Sequence, residues 1–314
     1  MDPLALSTLR STFHNRLQEN TLLSGYTSAR IGGPADVLLV LRSAEELVQA
    51  AQKLWELDLP FRVLGSGSNV LVSDQGVRGV VLINRARAVH CDPRTEPPAL
   101  EAESGATLND LAHRAARLGL AGLEWAATVP GSLGGAVYGN AGAFGGDMAG
   151  NLISIDLVHR QAGRQAWDRE KLAYGYRTSL LKRENPPVVI LGARLAVQHG
   201  DRASIQKKER QFSAQRRSSQ PAGASLGSMF KNPPGEFAGS LIEQAGLKGK
   251  RIGNAEISPA HANFFINHGQ TKAADIQALI DLARAAVEEK FGLHLELEVE
   301  LIGDWEGRHG NQLS

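Results

Sequence analysis

An α+β fold assembled from several modest units is what this sequence predicts, and three observations predict it. Strand-like and helix-like segments alternate irregularly along the chain. At 314 residues the chain exceeds one ordinary domain. The glycines gather in two loops without the strand–glycine–helix fingerprint of a dinucleotide fold. Mixed elements with long-range returns favour α+β layers over a doubly wound parallel sheet.

The elements follow in order. Leu6, Leu9, Phe13 and Leu17 recur at near-helical spacing and predict a short opening helix. Val37 to Leu41 reads as a strand, and Ser43 with Glu46 forms the capping pattern of a helix running to about Leu57. Phe61 to Leu64, Val70 to Val72 and Gly79 to Ile83 are β-prone runs, giving a β-α-β-β unit that ends near residue 85. The proline-bearing stretch Cys91 to Pro98 reads as a surface loop between units. Leu100 to Ala102 begins a strand, Thr107 starts a helix to about Leu118, and Ile153 to His159 and Val188 to Val197 are further strands. The charged stretch Ile205 to Arg217 predicts an exposed helix or linker into a third unit. That unit holds helices at Gly239 to Ala245 and Ala273 to Phe291, an apolar run at Phe264 to Asn267, and a closing strand from Leu293 to Ile302. The breaks divide the chain into residues 1–88, 89–203 and 204–314.

Composition narrows the function. Thirty-four basic and 33 acidic residues leave a net charge of +1, so no electrostatic field draws nucleic acid or a membrane surface. A single cysteine, Cys91, excludes an internal disulfide framework and multi-cysteine metal sites, and the nine histidines form no zinc motif; no metal is expected. No long apolar core marks a secretory signal or membrane span, so a cytoplasmic protein is expected.

Chemistry concentrates in the glycine loops. Gly65, Ser66, Gly67, Ser68 and Asn69 lie between two strand-like runs, where successive N–H groups can face an anion. Taken alone, this loop fits a tight hairpin better. Val129 to Gly150 carries eight glycines, a poor way to build a core and a suitable backbone to pass close to a large ligand. The interspersed Val129, Leu133, Val137, Tyr138 and Phe144 give it something to pack with, which argues against a flexible surface loop. Together the two loops point to a phosphate-bearing ligand.

Several ordered motifs carry a resemblance to one family. They include Thr27-Ser28-Ala29-Arg30-Ile31-Gly32-Gly33-Pro34-Ala35-Asp36, Leu64-Gly65-Ser66-Gly67-Ser68-Asn69 and Val129-Pro130-Gly131-Ser132-Leu133-Gly134-Gly135-Ala136. Asn140-Ala141-Gly142-Ala143-Phe144-Gly145, Tyr174-Gly175-Tyr176-Arg177-Thr178-Ser179, Gly227-Ser228-Met229-Phe230-Lys231-Asn232-Pro233 and Glu298-Val299 complete the set. In this order they resemble the UDP-N-acetylenolpyruvoylglucosamine reductases. The 51 positions between Arg177 and Ser228 are similar to the shorter type, which lacks a tyrosine-bearing insertion.

The resemblance implies a two-lobed FAD-binding module of the vanillyl-alcohol-oxidase type (residues 1–88 and 89–203) and a C-terminal α+β substrate-binding domain (204–314). It implies non-covalent FAD with NADPH as co-substrate, a nucleotide-sugar substrate and a monomer. Gly65, Ser66, Gly67, Ser68, Asn69, Thr128, Pro130, Gly131, Ser132, Gly134, Gly135, Asn140 and Gly142 would hold the cofactor. Arg177 would bind the substrate carboxylate through its planar fork, Ser228 would deliver a proton to carbon, and Glu298 would polarise the carboxylate. Periodicity alone makes Glu298 one of three glutamates on the solvated face of the closing strand, and only the resemblance selects it. Beside a substrate carboxylate it must be protonated or bridged by water, so a raised pKa is expected. Tyr176, Lys231, Asn232 and His261 would contact the substrate. A flavin oxidase of sugars or alcohols and a flavin-binding regulator without turnover are the two other readings.

Overall fold

The computed structural model describes residues 2–94 and 96–305. The first unit is a four-stranded sheet in the order Leu17–Leu22, Pro34–Leu41, Val77–Asn84, Phe61–Leu64, with the last three strands parallel. Val77–Asn84 is an almost unbroken apolar run because both of its faces are covered. Val80 and Leu82 pack with Leu47, Ala51 and Leu54 of the helix Ala44–Glu56. Val81 and Ile83 pack on the other side with Leu38, Leu64 and Val72. The helix starts as expected, Ser43 Oγ accepting from the Glu46 N–H at 3.2 Å.

The second unit is a five-stranded antiparallel sheet in the order Gly163–Asp168, Leu152–His159, Val188–Ala196, Ala99–Glu103, Val89–Cys91. The helix Leu108–Arg117 presses Leu108, Leu111, Ala112 and Ala115 into its core. The third unit packs the helices Ala238–Gln244 and Ala273–Phe291 against the short antiparallel strands Arg251–Ile252, Ala255–Ile257 and Phe265–Asn267. The charged stretch is the helix Arg202–Ser219, whose buried residues are Ile205 and Glu209. No described helix is long and apolar enough to cross a membrane.

Four expectations need correction. The opening helix is Pro3–Phe13, and Leu17 instead begins a strand, because His14 adopts a left-handed φ of 48° that ends the helical path. Gly65–Asn69 is no hairpin turn: Phe61–Leu64 pairs with Val77–Asn84, whereas Val70–Val72 pairs in parallel with Glu300–Ile302. The glycine-rich segment contains a helix, Leu133–Gly139, with Ser132 Oγ accepting from the Gly135 N–H at 3.4 Å. The closing strand is regular only over Glu300–Ile302. The side-chain alternation nevertheless continues, since Leu293, Leu295, Leu297, Val299 and Leu301 all join the third unit's core.

Candidate active site

A cavity of about 860 Å³ runs between the units, within the range of about 300–1,000 Å³ typical of small-molecule sites. One wall is made by the two glycine loops, which touch each other. A Cβ on Gly65 would overlap Ser132 Oγ, and Ser68 Oγ donates to the Pro130 carbonyl at 3.3 Å. Gly67, with a φ of 59°, passes so close to Tyr26 and Thr27 that a side chain would meet their backbone. Gly65, Ser66, Gly67, Ser68, Asn69, Pro130, Gly131, Ser132, Gly134, Gly135 and Gly142 all line the cavity.

The first amides of the helix Leu133–Gly139 are already bonded within the protein. Leu133 N–H donates to Ala106 at 2.8 Å and Gly134 N–H to Ser104 at 2.7 Å. These two amides are therefore not free to face the cavity. Two of the expected cofactor contacts do not line the cavity. Asn140 is buried, donating through Nδ2 to the Gly175 carbonyl at 3.0 Å and accepting from Ala149 N–H at 3.0 Å. Thr128 Oγ1 is buried without a partner among the described residues, directly before Val129 and Pro130 of the wall.

The same cavity carries titratable groups. Arg177 holds a left-handed φ of 55° and donates through Nη2 to the Gly142 carbonyl at 3.0 Å. Its Nε lies 2.9 Å from Glu298 Oε1, with both side chains largely buried. Burial pushes the Glu298 carboxyl above the ordinary range, against the pull of Arg177, Lys182 and Lys231. The raised value expected from the sequence is therefore present. Ser228 lines the same cavity and sits beside Phe264 in an isolated β-bridge. Its neighbour Met229 accepts from the Glu298 N–H at 2.9 Å, so Ser228 and Glu298 lie on adjoining extended segments.

The four expected substrate contacts lie outside the cavity lining and have other partners. Tyr176 is 57% exposed, its ring 5.5 Å from the Arg177 guanidinium. Lys231 Nζ bonds Glu296 at 3.0 Å. Asn232 Oδ1 accepts from Ala238 N–H at 3.1 Å, at the start of a helix. His261 packs edge-on against Phe264 with ring centroids 4.9 Å apart, and burial pushes its pKa down.

Sequence reasoning missed several lining residues. Lys182, on the short helix Leu180–Glu184, pairs with Glu300 at 2.9 Å. Glu300 belongs to the polar face of the closing segment, so the alternation had a signal for it. Tyr138 lines the cavity with its phenol pushed up to about 12 by burial. Arg216 on the helix Arg202–Ser219 carried no signal beyond charge.

Comparison with known proteins matches these features. A family model described as an FAD binding domain covers residues 35–165, and the UDP-N-acetylenolpyruvoylglucosamine reductase C-terminal domain covers residues 219–302. A Chloroflexus aggregans relative named UDP-N-acetylenolpyruvoylglucosamine reductase is 43% identical over 91% of this chain and 97% of its own length. One from Symbiobacterium thermophilum, named UDP-N-acetylenolpyruvoylglucosamine reductase 2, is 40% identical over 96% of this chain and 98% of its own. The crystal structure of the reductase from Thermus caldophilus superposes with a TM-score of 0.78 at 36% identity, covering 91% of this chain and 98% of that one.

Fold and site thus define an FAD-dependent oxidoreductase, with an FAD-binding domain and a C-terminal α+β domain. The chain belongs to the UDP-N-acetylenolpyruvoylglucosamine reductase family.

Proposed function

We infer that this chain reduces the enolpyruvyl group of UDP-N-acetylglucosamine enolpyruvate to give UDP-N-acetylmuramate, using NADPH and FAD. The reaction serves peptidoglycan synthesis, and through it cell shape and division. The observation that carries this reading is the meeting of Gly65 with Ser132 and of Ser68 with Pro130 in a cavity that also holds Arg177, Glu298 and Ser228. The residues fit the cofactor: two loops present backbone to one channel, and the residue directly before Val129 and Pro130 of its lining, Thr128, has a buried hydroxyl without a partner among the described residues.

The loops Gly65–Asn69 and Val129–Ser132 would hold FAD, which when bound would supply the hydride chemistry, NADPH being the reductant and the β-carbon of the enolpyruvyl group the acceptor. The protein then has two tasks. Arg177 holds the substrate carboxylate through its fork, stabilising the charge that collects there as the double bond is reduced. Glu298, biased toward its protonated form by burial, donates a hydrogen bond to that carboxylate without adding a second negative charge. Ser228 delivers the proton that completes the α-carbon. We assign residues 1–88 and 89–203 to the two flavin lobes and 204–314 to the substrate-binding domain, in a monomer of the cytoplasm. The wall of Gly65–Asn69 and Val129–Ser132 takes the cofactor pyrophosphate.

The test is anaerobic NADPH oxidation by the purified holoenzyme with and without UDP-N-acetylglucosamine enolpyruvate. Consumption that depends on this substrate is expected. Turnover requiring oxygen and another sugar, or bound flavin without turnover, refutes the reductase assignment.

A further inference from the structure

Three cations around the cavity have carboxylate partners in the protein. Arg177 pairs with Glu298 at 2.9 Å, Lys182 with Glu300 at 2.9 Å, and Arg160 with Asp58 at 2.8 Å. Arg216 lines the cavity, as do Gln220, Gly227 and Ser228, and its side chain has no carboxylate, carbonyl or ring partner among the described residues. Burial lowers its pKa, with no neighbouring charge acting against that effect. A partly desolvated guanidinium without a counter-ion is a favourable place for an incoming anion.

The helix that carries it is firmly fixed. Arg202–Ser219 docks on the second unit through buried Ile205, through Glu209 at 3.2 Å from His113 Nδ1, and through Lys208 at 3.8 Å from Glu124. One turn before Arg216, the Phe212 ring stacks on Phe144 with centroids 4.5 Å apart and planes inclined by 8°. Residues four apart share a helix face, so the stack holds the turn that presents Arg216. Phe144 closely follows Gly142, whose carbonyl receives the Arg177 guanidinium. Gly142–Ala143 and Gly146–Asp147 pair as a hairpin, so one arginine bonds this hairpin and the other lies one helical turn from the ring stacked on it.

We propose that Arg216 binds the diphosphate of the nucleotide sugar. The proposal rests on the reductase reading, which requires three anionic groups in one cavity. Loop backbone receives the cofactor pyrophosphate, and Arg177 receives the substrate carboxylate. The substrate diphosphate is the third, and a guanidinium fork matches its oxygens in geometry and charge.

The test uses the full-length holoenzyme with Arg216→Ala and Arg216→Lys, and uridine diphosphate as a calorimetric probe. KM for the nucleotide sugar should rise about 10- to 100-fold in Arg216→Ala, the loss of a charge-assisted contact, with kcat within about twofold. Affinity for uridine diphosphate should fall in parallel and recover partly in Arg216→Lys, while FAD content and the flavin midpoint potential stay at parental values. Unchanged KM and probe affinity would overturn the proposal. So would loss of FAD or a shifted potential, which would assign Arg216 to the cofactor. Failure of the parental enzyme to turn over the nucleotide sugar would instead overturn the reductase reading and this proposal with it.

Discussion

Gly65→Ala probes the contact on which the cofactor wall depends. The Gly65 φ is not in the left-handed region, so alanine is compatible with the backbone and any penalty comes from space. The added methyl would overlap Ser132 Oγ and come within 2.7 Å of Ser132 Cβ. Forcing one methyl into such a contact costs about 1–3 kcal/mol. If separating the loops is how the protein relieves the clash, FAD affinity falls by the corresponding factor, roughly 5- to 150-fold. Ser132→Gly removes both clashing atoms and leaves Cα at 4.0 Å, an ordinary contact. As a helix cap, glycine is only a few tenths of a kcal/mol worse than serine, roughly speaking. The double variant should thus bind FAD nearly as well as Ser132→Gly alone, a coupling of about 1–3 kcal/mol in the cycle. Fluorescence titration of the apoprotein with FAD reads all four corners. If the two penalties simply add, the loops do not meet as described and the assignment of the wall fails.

Ser228→Ala should leave flavin reoxidation by substrate largely intact in anaerobic stopped flow while product formation slows by about 10²–10⁴-fold; a parental rate of product formation removes the serine from the mechanism. The Glu298 carboxyl is raised in the folded state, so the folded chain binds its proton more tightly than the unfolded chain does. Stability from this group is present below the ordinary value of 4.5 and is lost as pH rises from there through the raised value. The melting temperature of Glu298→Gln relative to the parent should therefore climb across that window and then level off, and a flat or falling difference contradicts the shift. Acid precipitation should release all the yellow chromophore into solution, because the described residues lining the cavity include neither histidine nor cysteine. Flavin retained in the pellet would show a covalent link.

What the sequence made legible depended on whether the signal was local. The Ser43–Glu46 cap and the helix Ala273–Phe291 are written in neighbouring residues, and both are present. The glycine-rich segment misled because glycine has two uses. Gly146 is small because a Cβ there would strike the Trp125 ring, and Gly134 because Ser104 lies against it. These are packing demands inside the second unit, set by partners that no local pattern reveals. The same holds for Val70–Val72, whose strand partner is Glu300–Ile302. A hairpin was the reasonable local reading of Gly65–Asn69, and a distant segment overruled it. Among Glu296, Glu298 and Glu300, alternation could not say which ones leave solvent. Glu296 stays exposed with Lys231, whereas the other two turn into the cavity because the chain there crosses back over the first unit.

That return has a mechanistic consequence. Asn69 belongs to the cofactor wall, yet its Nδ2 donates to the Glu298 carbonyl at 3.0 Å and its own carbonyl accepts from the Glu300 N–H at 3.0 Å. On the other side of the same residue, the Glu298 N–H is held by Met229, next to Ser228. Glu298 is thus fixed through its backbone between the loop Gly65–Asn69 and the segment that carries Ser228. An acid that must meet the substrate carboxylate within a few tenths of an ångström cannot hang on a free chain terminus. Parallel pairing of Glu300–Ile302 with Val70–Val72 supplies the rigidity, directly after the loop Gly65–Asn69. The same hydrogen bonds that hold Asn69 against the closing segment therefore fix the backbone from which the Glu298 carboxyl projects.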